Sequence, residues 1–291
     1  MNKLESKPIS PGKAISFTAD IVAFARTFSD IPLCRDIFEI AETIAGPLNP
    51  KEKNRVNERP HLVPFMEARY RLTDEELETR GYNQVLELAS GLSPRGFIAC
   101  ADPHVEYVEL DLPDEMSLKR KVVDELHRRQ GTARYSNHHP EQGSVTYAND
   151  MRATDLYFSR EPVFIITEGL LRYLNWKDKE KLAKNVRRIM ESHRGSIWMT
   201  PDIHILSEVE SSPEMRAHYE RTNKEWGFDF KPNLFRDFDH AREFFRGFGF
   251  VVQERSIADM ADRLVTPKRL NMSDEAVHKA LGKRKAFVMS L

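Results

Sequence analysis

The sequence predicts an α/β protein: a mostly parallel sheet with helices on its faces and an antiparallel edge. Three observations carry that reading. From Gln84 onward, short apolar runs alternate with amphipathic segments of helical period, the pattern of strands joined by crossover helices. Between the last two apolar runs, residues 250–254 and 286–290, no helical signal is visible, which allows an antiparallel finish. The run Val163-Phe-Ile-Ile-Thr167 delivers Glu168 straight into Gly169, and ligands of open α/β sheets sit at the carboxyl ends of strands. In isolation this last segment also fits a strand ending in a capped turn.

The elements follow in order. Residues 1–80 read as a helical N-terminal cap. Ile21, Ala25 and Phe28 share one face, and Ile37, Ile40, Ala41 and Ile44 mark a second helix that Gly46-Pro47 breaks. After a polar stretch at 49–59, Thr73-Asp-Glu-Glu76 has the form of a capping box, opening a short helix that stops at Gly81. Residues 81–291 form the sheet-bearing core. Val85-Leu-Glu-Leu-Ala89 is the first strand and Ser90-Gly-Leu-Ser-Pro94 its turn. Strands at 105–110, 144–148, 163–167 and 196–200 follow, with a charged helix over 115–129 and another from Trp176 that buries Leu182, Val186, Ile189 and Met190. A lid insertion is expected at about 205–235, irregular from Ser212 to Leu234, with Tyr219, Trp226, Phe228, Phe230 and Phe235 available to line an acceptor pocket or to pack the lid. A helix near 241–245 and the two closing strands complete the chain.

Composition excludes several classes. With 40% apolar and 31% charged residues the chain is globular. A formal charge of −1 gives no sign of a polyanion partner, and Lys119-Arg-Lys121 and Lys283-Arg-Lys285 read as solvated faces. Cys34 and Cys100 make neither a disulfide framework nor a metal cluster, and His138-His139-Pro140 in a polar loop is a poor metal site. A polar N-terminus and the lack of a long apolar run predict a soluble, cytoplasmic protein without membrane contact.

The strand-end residues carry the chemistry. A dinucleotide loop needs three spaced glycines to cradle a pyrophosphate, whereas this loop has Gly91 and Gly96 alone. S-adenosylmethionine has no phosphate, so one close backbone approach at Gly91 and an acid for its ammonium, Glu87, meet its needs. Asp111 ends the second strand twenty residues after Gly91, where an acid takes ribose hydroxyls; capping the next helix is the other reading. Asp150, with the amide of Met151, can meet adenine; capping a helix is the other reading of this acid. Glu87, Asp111, Asp150 and Glu168 thus end four successive strands along one sheet edge.

Gln84-Val-Leu-Glu-Leu-Ala-Ser-Gly-Leu-Ser-Pro-Arg95, Val108-Glu-Leu-Asp-Leu-Pro113 with Lys119 downstream, Asp150-Met151 and Glu168-Gly-Leu-Leu-Arg-Tyr-Leu174 resemble the leucine carboxyl methyltransferase family. The resemblance runs from about Thr18 to the C-terminus. It implies a Rossmann-like class I methyltransferase sheet and S-adenosylmethionine-dependent O-methylation; the family includes polyketide-type enzymes and a tRNA-modifying branch. It also implies Gly91 at the cofactor's methionine end, Asp111 on the ribose, Asp150 and Met151 at the adenine, and Glu168 by the ammonium. Arg69, in Glu67-Ala-Arg-Tyr-Arg71, is similar to the family arginine that pairs the methionine carboxylate, with Arg71 the competing choice. Two departures stand out. The family's Leu-Gly-Ala-Gly is here Leu88-Ala-Ser-Gly91, and its Gly-Leu-Asp-Thr-Arg is Gly91-Leu-Ser-Pro-Arg95.

Methyl transfer from a sulfonium is an in-line displacement, so a protein mainly positions the acceptor and keeps the site dry. A carboxylate acceptor needs no base and a hydroxyl acceptor does. The histidines, including His104, His127, His204 and His240, are scattered, and no catalytic group stands out beyond Tyr173, which is suited to shaping the acceptor pocket or to packing. A small-molecule acceptor is expected, with protein and RNA acceptors open and RNA disfavoured by the charge. Two other readings compete: a nicotinamide-dependent oxidoreductase on the same architecture, and a cofactor-binding relative without turnover. The oligomeric state is not readable.

Overall fold

The computed structural model describes residues 11–57 and 61–291. Four helices open the chain, α1 (Pro11–Arg26), α2 (Cys34–Ala45), α3 (Pro50–Asn57) and α4 (Leu62–Arg80). Strands and helices then alternate as β1 (Gln84–Leu88), α5 (Arg95–Ala99), β2 (Glu106–Asp111), α6 (Pro113–Gln130), β3 (His138–Gln142), α7 (Ala148–Thr154), β4 (Phe164–Thr167), α8 (Trp176–Ser192) and β5 (Ile197–Thr200). The remainder is α9 (Leu206–Ser211), α10 (Pro213–Trp226), α11 (Phe238–Gly247), β6 (Val251–Ser256), α12 (Thr266–Arg269), α13 (Asp274–Leu281) and β7 (Lys285–Ser290).

The seven strands form one sheet in the order β3-β2-β1-β4-β5-β7-β6. β3 through β5 are parallel neighbours, and β7 runs antiparallel to both β5 and β6. Strands β1, β4 and β5 are buried along their whole length, as sheets covered on both faces require. Their alternation sends Leu86, Ile165 and Trp198 to one core with α8 and α11, and Val85, Phe164 and Met199 to another with α4 and α13. The parallel half of the sheet therefore presents the ends of β2, β1, β4 and β5 side by side.

Five local expectations are corrected. The third strand is β3, not residues 144–148. Ser144 and Thr146 form a hydroxyl-linked turn instead, and Ser144 N–H donates to Asp150 Oδ2 (2.7 Å). His138 and His139 lie in that strand rather than in a loop, and His138 Nε2 meets Glu109 Oε2 at 3.1 Å. Thr73 opens no helix. It sits inside α4, where its hydroxyl donates to the Arg69 carbonyl at 2.9 Å, and only the stop at Gly81 follows the expectation. Much of the stretch from Ser212 is helical as α10, with the Ser212 hydroxyl accepting from Met215 N–H at 3.2 Å. Lys119 is 1% exposed rather than solvated. In addition, α12 and α13 occupy the segment between the last strands where no helical signal was legible. Among the described residues no helix is long and apolar enough to cross a membrane.

Candidate active site

The turn after β1 is built from left-handed backbone. Ala89 (φ 55°) and Gly91 (φ 49°) both adopt positive φ, which costs an alanine about 1–2 kcal/mol and a glycine little. Asp111 and Lys119 secure this turn. The carboxylate of Asp111 accepts from Gly91 N–H and from Leu112 N–H, each at 2.7 Å. Lys119 Nζ donates to the carbonyls of Gly91 (3.2 Å) and Ser93 (2.6 Å) and pairs with Glu109 at 2.8 Å. Burial pushes the Asp111 carboxyl up to about 6, with the Gly91 and Leu112 amides pulling it back. The acid is thus fixed beside the glycine, with lone pairs left for a diol.

Next along the edge, buried carboxylates are matched by arginines. Glu87, near the end of β1, binds Arg95 Nη1 (2.5 Å) and the Tyr107 hydroxyl (2.8 Å). Arg95 also reaches Asp74 (2.6 Å) and Glu168 (3.4 Å). Glu168 receives Arg69 Nε at 2.8 Å and a close contact from Arg26 Nη2. Burial would raise the Glu168 carboxyl, but Arg26, Arg69 and Arg95 together hold it at about 2, so it is an anion at every physiological pH. Arg69 Nη1 meets Asp202 Oδ2 at 3.1 Å, and the same carboxylate accepts from Gly169 N–H at 3.0 Å. Asp202 follows β5 as Glu168 follows β4, so it joins Glu87, Asp111 and Glu168 as a fourth acid on the same edge. Arg71 points elsewhere, to Glu67 at 2.8 Å and to Asp30, which leaves Arg69 as the arginine at the site.

These groups line one cavity of about 580 Å³, within the range of small-molecule sites. Arg26, Arg69, Glu87, Gly91, Asp111, Glu168 and Asp202 belong to its polar lining. Ile21, Val22, Phe65, Met66, Tyr173 and Met215 form an apolar chamber, where Arg172, His204, Tyr219 and Arg284 add polar groups. The Tyr173 hydroxyl donates to Thr18 Oγ1 (2.8 Å), tying α1 to the turn after β4. His204 Nε2 lies 3.6 Å from Asp202 Oδ2. Burial, together with Arg172 and Arg284 and against the pull of Asp202, pushes the imidazole down to about 4.

Of the residues the sequence singled out, Arg69, Glu87, Gly91, Asp111, Glu168 and Tyr173 meet on this wall. Asp150 and Met151 do not. Because residues 144–148 turn rather than extend, Asp150 falls in the first turn of α7, where its Oδ2 accepts from Ser144 N–H. The Met151 side chain is fully buried in the core, and its N–H donates to the Tyr147 carbonyl at 3.1 Å rather than to a ligand. Glu87 is enclosed by Arg95 and Tyr107, so it supports the site through Arg95. Of the lid aromatics, Tyr219 lines the cavity, whereas Phe230 backs it at 6.5 Å between ring centres and Phe235 packs with Trp176 and Phe245. Phe228 meets Phe230 edge to face at 4.8 Å between ring centres, and the side chain of Trp226 lies outside the described residues. Sequence reasoning missed Arg26, Arg172, His204 and Arg284, which converge from four separate segments, and Asp202, whose place after a strand and a proline was a usable signal.

A mostly parallel seven-stranded sheet with an antiparallel β7, an acid fixed at the end of β2 and a glycine turn after β1 define a class I methyltransferase architecture. The comparisons agree. The family model for leucine carboxyl methyltransferase matches residues 24–187, more than half of the chain. The chain belongs to the leucine carboxyl methyltransferase family. Its fold is similar to a DUF574 family protein from Streptomyces avermitilis MA-4680, at 14% identity and TM-score 0.56, over 92% of this chain and 96% of the other. It is also similar to a candidate methyltransferase from Thermobifida fusca YX, at 15% identity and TM-score 0.51, over 99% and 96%. No curated protein matches the sequence. S-adenosylmethionine is the methyl donor of this family, and the protein is an S-adenosylmethionine-dependent methyltransferase. The wall fits that group. Arg26 Nε and Ser90 Oγ are buried there without a hydrogen-bond partner among the described residues, and unmet polar atoms on a cavity wall call for a polar ligand.

Proposed function

We propose that the protein is an O-methyltransferase acting on a small molecule. The observation that carries this is the continuity of a single cavity from the acid-and-glycine edge of the sheet into a chamber walled by Phe65, Met66, Tyr173, Met215 and Tyr219. When bound, S-adenosylmethionine supplies a methyl group on a positively charged sulfur. Asp111 is the residue for its ribose hydroxyls. Arg69 and Arg26 are the cations for its carboxylate, and Glu168 and Asp202 the anions for its ammonium. Fixing these charges in advance removes reorganisation from the reaction. The apolar chamber excludes water from the transferring methyl group and shapes the approach of the acceptor oxygen.

A hydroxyl acceptor must lose a proton. His204 and His61 both line the cavity, and His204 is neutral at pH 7 because burial and its arginine neighbours hold its imidazole down to about 4. Neutral, it can accept a proton, but a value held this low makes it a weak base, which suits an acceptor that is already ionised. A cytoplasmic setting and a small-molecule acceptor remain parts of this proposal.

Calorimetry with S-adenosylhomocysteine and with NAD, followed by labelled methyl transfer across a panel of phenols, alcohols and acids, tests the reading. The expected result is one S-adenosylhomocysteine site per chain, weak or absent NAD binding, and label on oxygen. Preference for NAD would support the oxidoreductase instead. Cofactor binding with no transfer to any acceptor would point to a relative without turnover.

A further inference from the structure

Two rings of α4 carry arginines of the site, and they stand in different places. Phe65 lines the cavity, with the Arg284 guanidinium 4.1 Å and that of Arg69 5.6 Å from its centre. Tyr70 lies behind the wall, 2% exposed and clustered with Ile31 and Cys34. The Arg95 guanidinium lies over its ring at 4.1 Å and that of Arg26 at 5.0 Å. Arg26 ends α1 and Arg95 opens α5, so one ring of α4 gathers two cations from separate segments. The pull of a ring face on a cation is strongest where water is excluded, and both arginines are buried.

The two cations are not held alike. Arg95 is anchored at Nε, Nη1 and Nη2, by Asp74, Glu87 and Glu168. Among the described residues the Arg26 side chain has one hydrogen-bonded anchor, from Nη2 to Glu168, on an oxygen that also receives Arg69 Nε. A single hydrogen bond leaves a planar guanidinium free to turn about it, whereas a bidentate pair would fix the plane. Burial and the neighbouring Arg95 also work against the Arg26 charge, with Glu168 offsetting them. The Tyr70 ring supplies the second constraint. It leaves Arg26 Nε, buried without a partner among the described residues, as a donor for a ligand in the cavity. We propose that Tyr70 is the positioning residue for the amino-acid end of the cofactor, its ring fixing the Arg26 guanidinium so that Nη2 stays on Glu168 and Nε meets the cofactor carboxylate. Tyr70 does not line the cavity, so it acts through Arg26. Both contacts are made over the ring, so the ring and not the hydroxyl carries the role.

This rests on placing the cofactor carboxylate at Arg26 and Arg69, and the test separates the two. Calorimetry compares S-adenosylhomocysteine with 5′-methylthioadenosine, which keeps the adenosine and the sulfur and lacks the amino-acid end. Both are titrated into the wild type, Tyr70→Phe, Tyr70→Leu and a chain carrying pentafluorophenylalanine at position 70, whose ring keeps its shape while the potential of its face is reversed. S-adenosylhomocysteine affinity should fall about 3- to 30-fold in the last two, the range of a buried cation–π contact. Tyr70→Phe should bind it as the wild type does, and methylthioadenosine affinity should stay within about twofold throughout. In an Arg26→Met background the same ring changes should have no further effect. Where Tyr70→Leu does not fold, the fluorinated ring decides. Equal losses for both ligands, a loss in Tyr70→Phe as large as that of the fluorinated ring, full affinity with the fluorinated ring, or a loss that persists without Arg26 would overturn the inference. S-adenosylhomocysteine binding no tighter than methylthioadenosine in the wild type would instead overturn the placement of the cofactor carboxylate.

Discussion

The two ends of the cavity handle buried charge in opposite ways. At the sheet edge, Arg26, Arg69 and Arg95 are matched by Asp74, Glu87, Glu168 and Asp202. In the chamber, Arg172 and Arg284 lean on aromatic rings and have no carboxylate partner among the described residues. The first arrangement pairs its charges, leaves Arg26 Nε and Ser90 Oγ open to a ligand, and suits a zwitterion, which adds no net charge. The second becomes complete only with an anion. A compensated network holds its shape between turnovers, whereas an uncompensated one leaves binding energy for the substrate.

Stability measurements should separate the ends most sharply. Arg95→Met removes the cation shared by Asp74, Glu87 and Glu168 and should cost about 3–5 kcal/mol in urea unfolding, because buried carboxylates are stranded. Arg172→Met strands nothing and should change stability by less than about 1 kcal/mol, or raise it. Equal losses in the two variants would erase the distinction.

Cofactor affinity probes the edge more gently. Asp111→Asn should weaken S-adenosylhomocysteine binding about 10- to 150-fold by calorimetry, from loss of a charge-assisted bond worth about 1.5–3 kcal/mol. An unchanged affinity would remove Asp111 from the ribose site. The same residue sets a pH dependence. Its carboxyl is raised to about 6 and must be ionised to accept a diol, so at pH 5 roughly one molecule in ten is competent. Affinity should therefore fall about 10-fold from pH 7 to pH 5. A flat profile would place the ribose elsewhere. The smallest effect is expected at Ala89, where glycine relieves left-handed strain (φ 55°) but frees the unfolded chain. Ala89→Gly should stabilise by about 0.5–1 kcal/mol, read as a higher urea midpoint.

The same contrast governs what was legible in the sequence. Gly91, Asp111 and Glu168 could be found because each sits where an apolar strand meets a turn, a local pattern. Asp202 obeys the same rule after β5 and could have been found by it. Arg26, Arg172 and Arg284 could not, since they come from the end of α1, the turn after β4 and the loop before β7, and the fold alone makes them neighbours. Lys119 looked solvated within a basic triplet because only the pairing of β1 with β2 shows that Glu109 and the Gly91 carbonyl surround it. β3 was missed for a related reason. His138-His-Pro-Glu-Gln142 has no apolar run, and its extended form comes from pairing with β2. Taking residues 144–148 for that strand then moved Asp150 from a helix start to a strand end. Thr73 misled in the opposite way, since a capping pattern inside an apolar helix is not a boundary.

The central claim is that one cavity joins a cofactor site at the acids to an acceptor chamber walled by Phe65, Met66, Tyr173, Met215 and Tyr219. A crystal structure with bound S-adenosylhomocysteine tests it most directly. The account predicts ribose hydroxyls on Asp111, the amino-acid end among Arg69, Glu168 and Asp202, and the sulfur facing the chamber of Tyr219, Arg172 and Arg284. An S-adenosylhomocysteine carboxylate seated on Arg172 and Arg284 would contradict it.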